Sequence, residues 1–158
     1  MKTARQPLLI VLVAAVAVVG AALVSQYWGG LQPCELCLME RWPYYAAAAI
    51  AALALLLPAT GWSRAALLVL ALLFVASAAL GFYHVGVEQH WFRGPTACTN
   101  SGGGPQTLEE LRQMLARTQV VMCDRVQWSL AGVSLAGWNF IASLLIAAFA
   151  LFAWRRCP

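Results

Sequence analysis

Two cysteines three residues apart, Cys34 and Cys37, stand in the stretch QPCELCLMERW, and Arg41 follows the second by four positions. Three more cysteines (Cys98, Cys123 and Cys157) and His84 complete the side chains whose types suit sulfur or metal chemistry. A Cys-x-x-Cys spacing is typical of dithiols in which one thiol has a lowered pKa and reacts near neutral pH. It also occurs in metal sites and in structural bridges. Which chemistry applies depends on where the chain sets these sulfurs.

The elements that must position them are apolar. Of 158 residues 62% are hydrophobic and 10% charged, where a soluble domain carries about a quarter charged residues. Four segments have the length and character of membrane spans: about 8–27, 42–57, 65–84 and 130–154. Backbone groups within lipid must be paired inside the segment, so each is read as a helix. The expected fold is all-α, a polytopic four-helix membrane bundle forming a single domain over 1–158. A cleaved leader would also begin with Lys2 and Arg5. The apolar run Leu8 to Val24 exceeds the ~7–15 residues of a leader core, and Tyr27-Trp28 reads as an interfacial anchor.

With four spans, both termini and the turn from Pro58 to Arg64 share one side, which holds Lys2, Arg5, Arg64, Arg155 and Arg156 and no acidic residue. Positive charge packed into short segments marks the cytoplasmic face. The chain's basic balance therefore belongs to membrane topology and gives no reason to expect a nucleic-acid partner. Opposite lie a short loop, about 28–41, and a long one, about 85–129. Within the long loop, Gly94 to Pro105 is rich in Gly and Pro and is expected to be mobile. Thr107 and Glu110 then form a capping-box pattern before Leu108, Leu111, Met114 and Leu115, which predicts a short amphipathic helix along the membrane surface. Ser77 and Gly81, four apart, favour close helix packing.

Topology sorts the sulfurs. Cys34, Cys37, Cys98 and Cys123 fall on the non-cytoplasmic face, where disulfides persist, and Cys157 falls on the reducing side and is expected to be inert. As permanent staples the four are poorly spaced, because a Cys-x-x-Cys bridge closes too small a loop to constrain much. A four-thiolate metal site lacks its second Cys-x-x-Cys, and haem attachment would need His where Leu38 stands. No metal site is expected. Two exchanging dithiols use all four cysteines.

Arg41 lies at the outer start of a helix, where a cation opposes the helix dipole, so a partner is expected for it. Glu40 or Glu35 would make an ordinary surface pair. If Pro33 starts a helix, Cys37 and Arg41 share one face, and the arginine would stabilise a Cys37 thiolate and bind an oxygen of an electron acceptor. His84, at the outer end of the third span, is a further candidate at that depth.

The segments CELCLMERWPYY after a first span, then GPTAC and MCDR in the loop after the third, resemble the disulfide bond formation protein B (DsbB) family. The likeness extends over essentially the whole chain in helix number, loop lengths and cysteine order. Vitamin K epoxide reductase homologues perform similar chemistry but carry their Cys-x-x-Cys in the last bundle helix. The resemblance implies a bacterial inner-membrane enzyme, multi-pass, with both termini cytoplasmic and the redox cysteines periplasmic. It implies a partner, a periplasmic thioredoxin-fold oxidase (DsbA-like), and a cofactor, ubiquinone or menaquinone, drawn from the membrane quinone pool. By the same resemblance Cys98 receives the partner's thiolate, Cys123 is released and attacks Cys34, and Cys37 beside Arg41 donates to the quinone, with His84 near it. The rival reading is a membrane carrier for soft metal ions that uses the thiolates as ligands.

Overall fold

A computed structural model of the chain describes residues 5–57, 60–95, 107–109, 112 and 121–157. Its long elements are α1 (Arg5–Tyr27), α3 (Trp42–Leu56), α4 (Thr60–Glu88) and α5 (Leu135–Arg156). A five-residue helix, α2 (Glu35–Met39), precedes α3, and a hairpin of two short strands, β1 (Ser129–Leu130) and β2 (Val133–Ser134), precedes α5. The chain is a helical membrane protein, and its four long helices pack as a bundle. Among the described residues, three helices (α1, α4 and α5) are long and apolar enough to cross a membrane. The fourth, α3, has 15 residues and rises about 22 Å, less than a ~30 Å hydrocarbon core.

The bundle is inside-out in its side-chain sizes. Small residues share the interior with a few large ones: Ala47, Ala51 and Ala54 of α3 and Ala147, Ala150 and Ala153 of α5 lie in one buried core with Leu67, Leu70 and Phe74 of α4. Large apolar residues point outward, with Leu56 75%, Leu145 65% and Leu72 62% exposed. That arrangement suits helices whose neighbours are lipid tails, where contact between backbones replaces the hydrophobic drive of water. Helix α4 packs mainly on α5 and α1 mainly on α3, while α1 and α5 touch only sparsely. The gap between them matters below.

Ser77 and Gly81 mark the α4–α5 contact, as their spacing suggested. A Cβ on Gly81 would lie 3.1 Å from the Phe140 backbone, and Ser77 Oγ meets Ser143 Oγ at 3.0 Å. The bonds continue, with Ser143 Oγ 2.8 Å from the Tyr44 hydroxyl and that hydroxyl donating to Asn139 Oδ1 at 2.7 Å. Each hydroxyl has one proton, so the chain has a direction: Ser77 donates to Ser143, Ser143 to Tyr44, and Tyr44 to Asn139.

Several boundaries differ from the sequence reading. Helix α4 begins at Thr60, inside the turn expected over Pro58 to Arg64, and it runs past His84 to Glu88 because Val87 packs on Cys34 and Cys123. The loop 28–41 is not irregular throughout, since it contains α2. The last helix does not begin at Leu130. Residues Ala131 and Gly132, both at positive φ (54° and 79°), turn a two-residue hairpin first. Ser134 then caps α5 by accepting from the Gly137 amide at 3.1 Å. Most of the segment read as a surface helix and all of the Gly/Pro-rich stretch from Thr96 lie outside the described residues. Of that segment, Leu108, Glu109 and Arg112 are helical.

The close α4–α5 approach yields a prediction. Gly81→Val should lower resistance to thermal or SDS unfolding in micelles by about 1–3 kcal/mol. Gly20, which has open space around it, should accept alanine with no loss, or with a gain of up to about 1 kcal/mol.

Candidate functional site

The dithiol sits where the chain turns from α1 into α3. Cys34, in extended backbone (φ −74°, ψ 172°), is the N-cap of α2, and its sulfur accepts the Cys37 amide at 3.2 Å. One helical turn thus folds the two sulfurs to 2.9 Å apart. Both are free thiols. Cys34 is buried at 2% exposure, while Cys37 is half-buried. Because α3 is short, this turn lies below the ends of its longer neighbours and meets His84, one helical turn before the end of α4.

His84 is the residue that completes the arrangement. Its Nε2 lies 3.5 Å from Cys34 Sγ and its Nδ1 lies 2.9 Å from Glu40 Oε1. Both side chains are buried, at 3% and 8% exposure. Glu40 therefore does not pair with Arg41, as an ordinary surface bridge would have it. Burial pushes the Glu40 carboxyl up, and the His84 hydrogen bond and charge oppose that push. A carboxylate on Nδ1 fixes the imidazole with Nε2 toward the sulfur. In that position it can exchange a proton with Cys34.

The two thiols are electrostatically unequal. The hydrogen bond that Cys34 donates, aided by the positive charge on His84 and by the backbone bond, lowers Cys37 to about 7. That same bond, together with burial, holds Cys34 well above the ordinary thiol range. The pair is thus unequal, with the more acidic thiol at Cys37 and the less acidic one at Cys34, against which His84 Nε2 lies. Cys123, 1% exposed, packs in the same buried cluster as Cys34, Leu36 and Val87. Cys157 belongs to the hydrophobic core that includes Leu8 and Ala153, apart from the dithiol cluster. Cys98 lies outside the described residues.

Arg41 is arranged otherwise than the i,i+4 reading required. Helix α2 starts at Glu35, not Pro33, and stops at Met39, and Arg41 is the N-cap of α3, so Cys37 and Arg41 do not share a helical face. Its Nη1 donates to Gln26 Oε1 of α1 at 2.7 Å. The lowered Cys37 pKa comes from Cys34 and His84. Both Cys37 and Arg41 nevertheless line one cavity of about 460 Å³. Its apolar walls come from α1 (Val18, Ala22) and α5 (Ala136, Ala142), the two helices that touch sparsely. Cys34, Glu40, Tyr44, His84 and Asn139 line it as well. Asn139 Nδ2 is buried there and meets no hydrogen-bond partner. The amide lies near Glu40 and favours its charged form, but without hydrogen-bonding geometry.

Sequence reasoning missed Glu40, Gln26 and Asn139. A polar amide inside an apolar span is a recognisable signal, and Asn139 in LAGWNFIASLL carried it.

The inequality of the thiols can be measured. Alkylation of the dithiol form should modify Cys37 with a half-maximal rate near pH 7 and leave Cys34 largely unmodified. A Cys37 half-point at the ordinary value of 9.0, or equal labelling of both, would contradict this geometry.

Comparison with known proteins gives the site its context. The family model described as disulfide bond formation protein DsbB matches residues 4–153. "Disulfide bond formation protein B" of Azoarcus sp. (strain BH72) is 29% identical over 161 residues, covering 96% of this chain and 95% of the relative. The protein of that name from Verminephrobacter eiseniae is 28% identical, with 98% and 88% covered, and that from Methylococcus capsulatus 30%, with 87% and 86% covered. No solved structure matches significantly. With the family match spanning nearly the whole of this helical membrane protein, the chain belongs to the DsbB family of disulfide bond formation proteins.

Proposed function

We propose that the protein is a membrane thiol:quinone oxidoreductase that reoxidises a periplasmic thioredoxin-fold dithiol oxidase and passes the electrons to ubiquinone or menaquinone. One observation carries this reading: Cys37, its pKa lowered to about 7 by Cys34 and His84, lines an apolar cavity between two sparsely touching helices. An apolar cavity with walls from two membrane-spanning helices suits a lipid-soluble acceptor.

The residues present fit a quinone. The cavity volume suits a ring of one or two fused cycles. Arg41 and the unpartnered Asn139 Nδ2 supply donors for carbonyl oxygens, and Gln26 holds the guanidinium in place. Bound there, a quinone supplies a two-electron, two-proton acceptor. The chain's own part is then sulfur and proton chemistry. The partner's thiolate attacks Cys98 of a Cys98–Cys123 disulfide, and Cys123 leaves as the partner is oxidised. Cys123, packed in the same cluster as Cys34, attacks that sulfur of an oxidised Cys34–Cys37 pair and frees Cys37 as a thiolate, while the partner's second thiol displaces Cys98 and completes the partner's disulfide. Cys98 then attacks Cys123 of the Cys123–Cys34 mixed disulfide, which restores Cys98–Cys123 and releases Cys34 as a thiol. Forming the Cys34–Cys37 disulfide again requires Cys34 to lose its proton, and His84 in its neutral form, oriented by Glu40, is positioned to take it. Two electrons and two protons leave the thiols in each cycle, so the account balances.

A soft-metal carrier would need further soft donors along its path. Among the described residues, the other buried cysteines are Cys123, in the dithiol's own cluster, and Cys157, the C-cap of α5, and no cysteine lies within a long helix to form a path.

Quinone reduction driven by a reduced thioredoxin-fold oxidase tests the proposal. Replacing Cys34, Cys37, Cys98 or Cys123 singly with serine should abolish turnover, while Cys157→Ser should leave it unchanged. Turnover retained in any of the four would overturn the relay. Arg41→Met should raise the apparent KM for quinone by about 10–100-fold, the loss of one charge-assisted hydrogen bond, with partner binding unchanged. Arg41→Lys should recover part of the loss.

A further inference from the structure

We propose that the dithiol form of this site also binds one thiophilic d10 dication of the zinc class, ligated by Cys34 Sγ, Cys37 Sγ and His84 Nε2. The three donor atoms lie within 4.8 Å of one another. In a tetrahedral zinc site with Zn–S near 2.3 Å and Zn–N near 2.0–2.1 Å, a sulfur and a nitrogen stand about 3.6 Å apart. Cys34 Sγ and His84 Nε2 are already 3.5 Å apart. The two sulfurs, at 2.9 Å, must open to about 3.8 Å, and half-buried Cys37 on a five-residue helix has room for that rotation.

Two further features favour a metal over a chance cluster. Glu40 on Nδ1 makes the carboxylate–histidine arrangement that orients imidazole ligands and raises their basicity. The Cys37 amide already donates to Cys34 Sγ, a bond that stabilises a metal-bound thiolate equally well. The fourth position would face the cavity, giving a Cys2His set with one open site, a known arrangement for zinc. Binding displaces the thiol protons from Cys34 and Cys37 to solvent and transfers no electrons. Because the metal uses the same sulfurs as the disulfide, the two states exclude each other. A protein left reduced for want of an acceptor is then sequestered by the cation, and an oxidised one is immune. This inference stands apart from the quinone reading, since it needs only the dithiol.

Direct metal titration of the full-length protein in detergent, with Co2+ as the spectroscopic probe and Zn2+ as competitor, tests it without reading quinone reduction. The reduced protein should bind one equivalent of Co2+ with thiolate charge-transfer and tetrahedral ligand-field bands, and Zn2+ should displace it. Oxidation of the same sample should abolish the bands. Glu40→Gln should weaken binding by about 10–100-fold, His84→Gln should weaken it further, and Cys157→Ser, apart from the dithiol cluster, should leave it unchanged. Binding that persists after oxidation, or a Glu40→Gln protein with undiminished affinity, would overturn the proposal, as would the absence of bands in the reduced wild type. The redox comparison uses one unmutated chain, so misfolding of a variant cannot obscure the result.

Discussion

A carboxylate buried against an imidazole in an otherwise apolar bundle is the constraint on which this site depends. Glu40 and His84 come from different helical segments and are almost fully buried. Removing one partner of such a pair leaves the other desolvated, at about 3–5 kcal/mol. The pair therefore fastens the α2 turn to α4. In doing so it sets His84 Nε2 against Cys34, and the charge on His84 adds to the Cys34–Cys37 hydrogen bond that makes the two thiols unequal. A structural link and a chemical device are the same contact.

Helix length supplies the second condition. The Cys34–Glu40 turn leads into the short helix α3 and meets His84 one helical turn before the end of α4, and the dithiol lines the cavity walled by α1 and α5. The hydroxyl chain from Ser77 to Tyr44 adds to this. It ends by donating to Asn139 Oδ1, which turns the amide nitrogen toward the cavity and leaves it without a partner. A buried donor without an acceptor costs about 1–3 kcal/mol, a cost that a bound oxygen acceptor would relieve.

Much of this was legible in the sequence, for definite reasons. Apolar runs long enough to span lipid are stable there as helices, so the helical class was readable, although of the four spans expected three are long enough to cross a membrane among the described residues. Ser77 and Gly81 announced a close helix contact. The cysteine order carried the family. What periodicity could not give was any contact between segments distant in sequence. His84 looked like a lone interfacial histidine because its partners, Cys34 and Glu40, lie 50 and 44 positions away. For the same reason a metal reading that counted only cysteines lacked its third donor. Arg41 was expected to act on Cys37 through helical spacing, but a five-residue helix ends too early to provide it. The hairpin at Ala131-Gly132 was hidden inside an apolar run, where an alanine at positive φ leaves no signal.

The central claim is that the Cys34–Cys37 pair, in its cavity, is itself a redox centre facing a membrane acceptor. The most direct measurement is a single turnover without any partner protein. Full-length protein carrying Cys98→Ala and Cys123→Ala would be reduced, freed of reductant under anaerobic conditions and mixed with one equivalent of quinone. The account predicts one quinol formed per protein and a Cys34–Cys37 disulfide identified by mass spectrometry. A dithiol that persists beside oxidised quinone would contradict it.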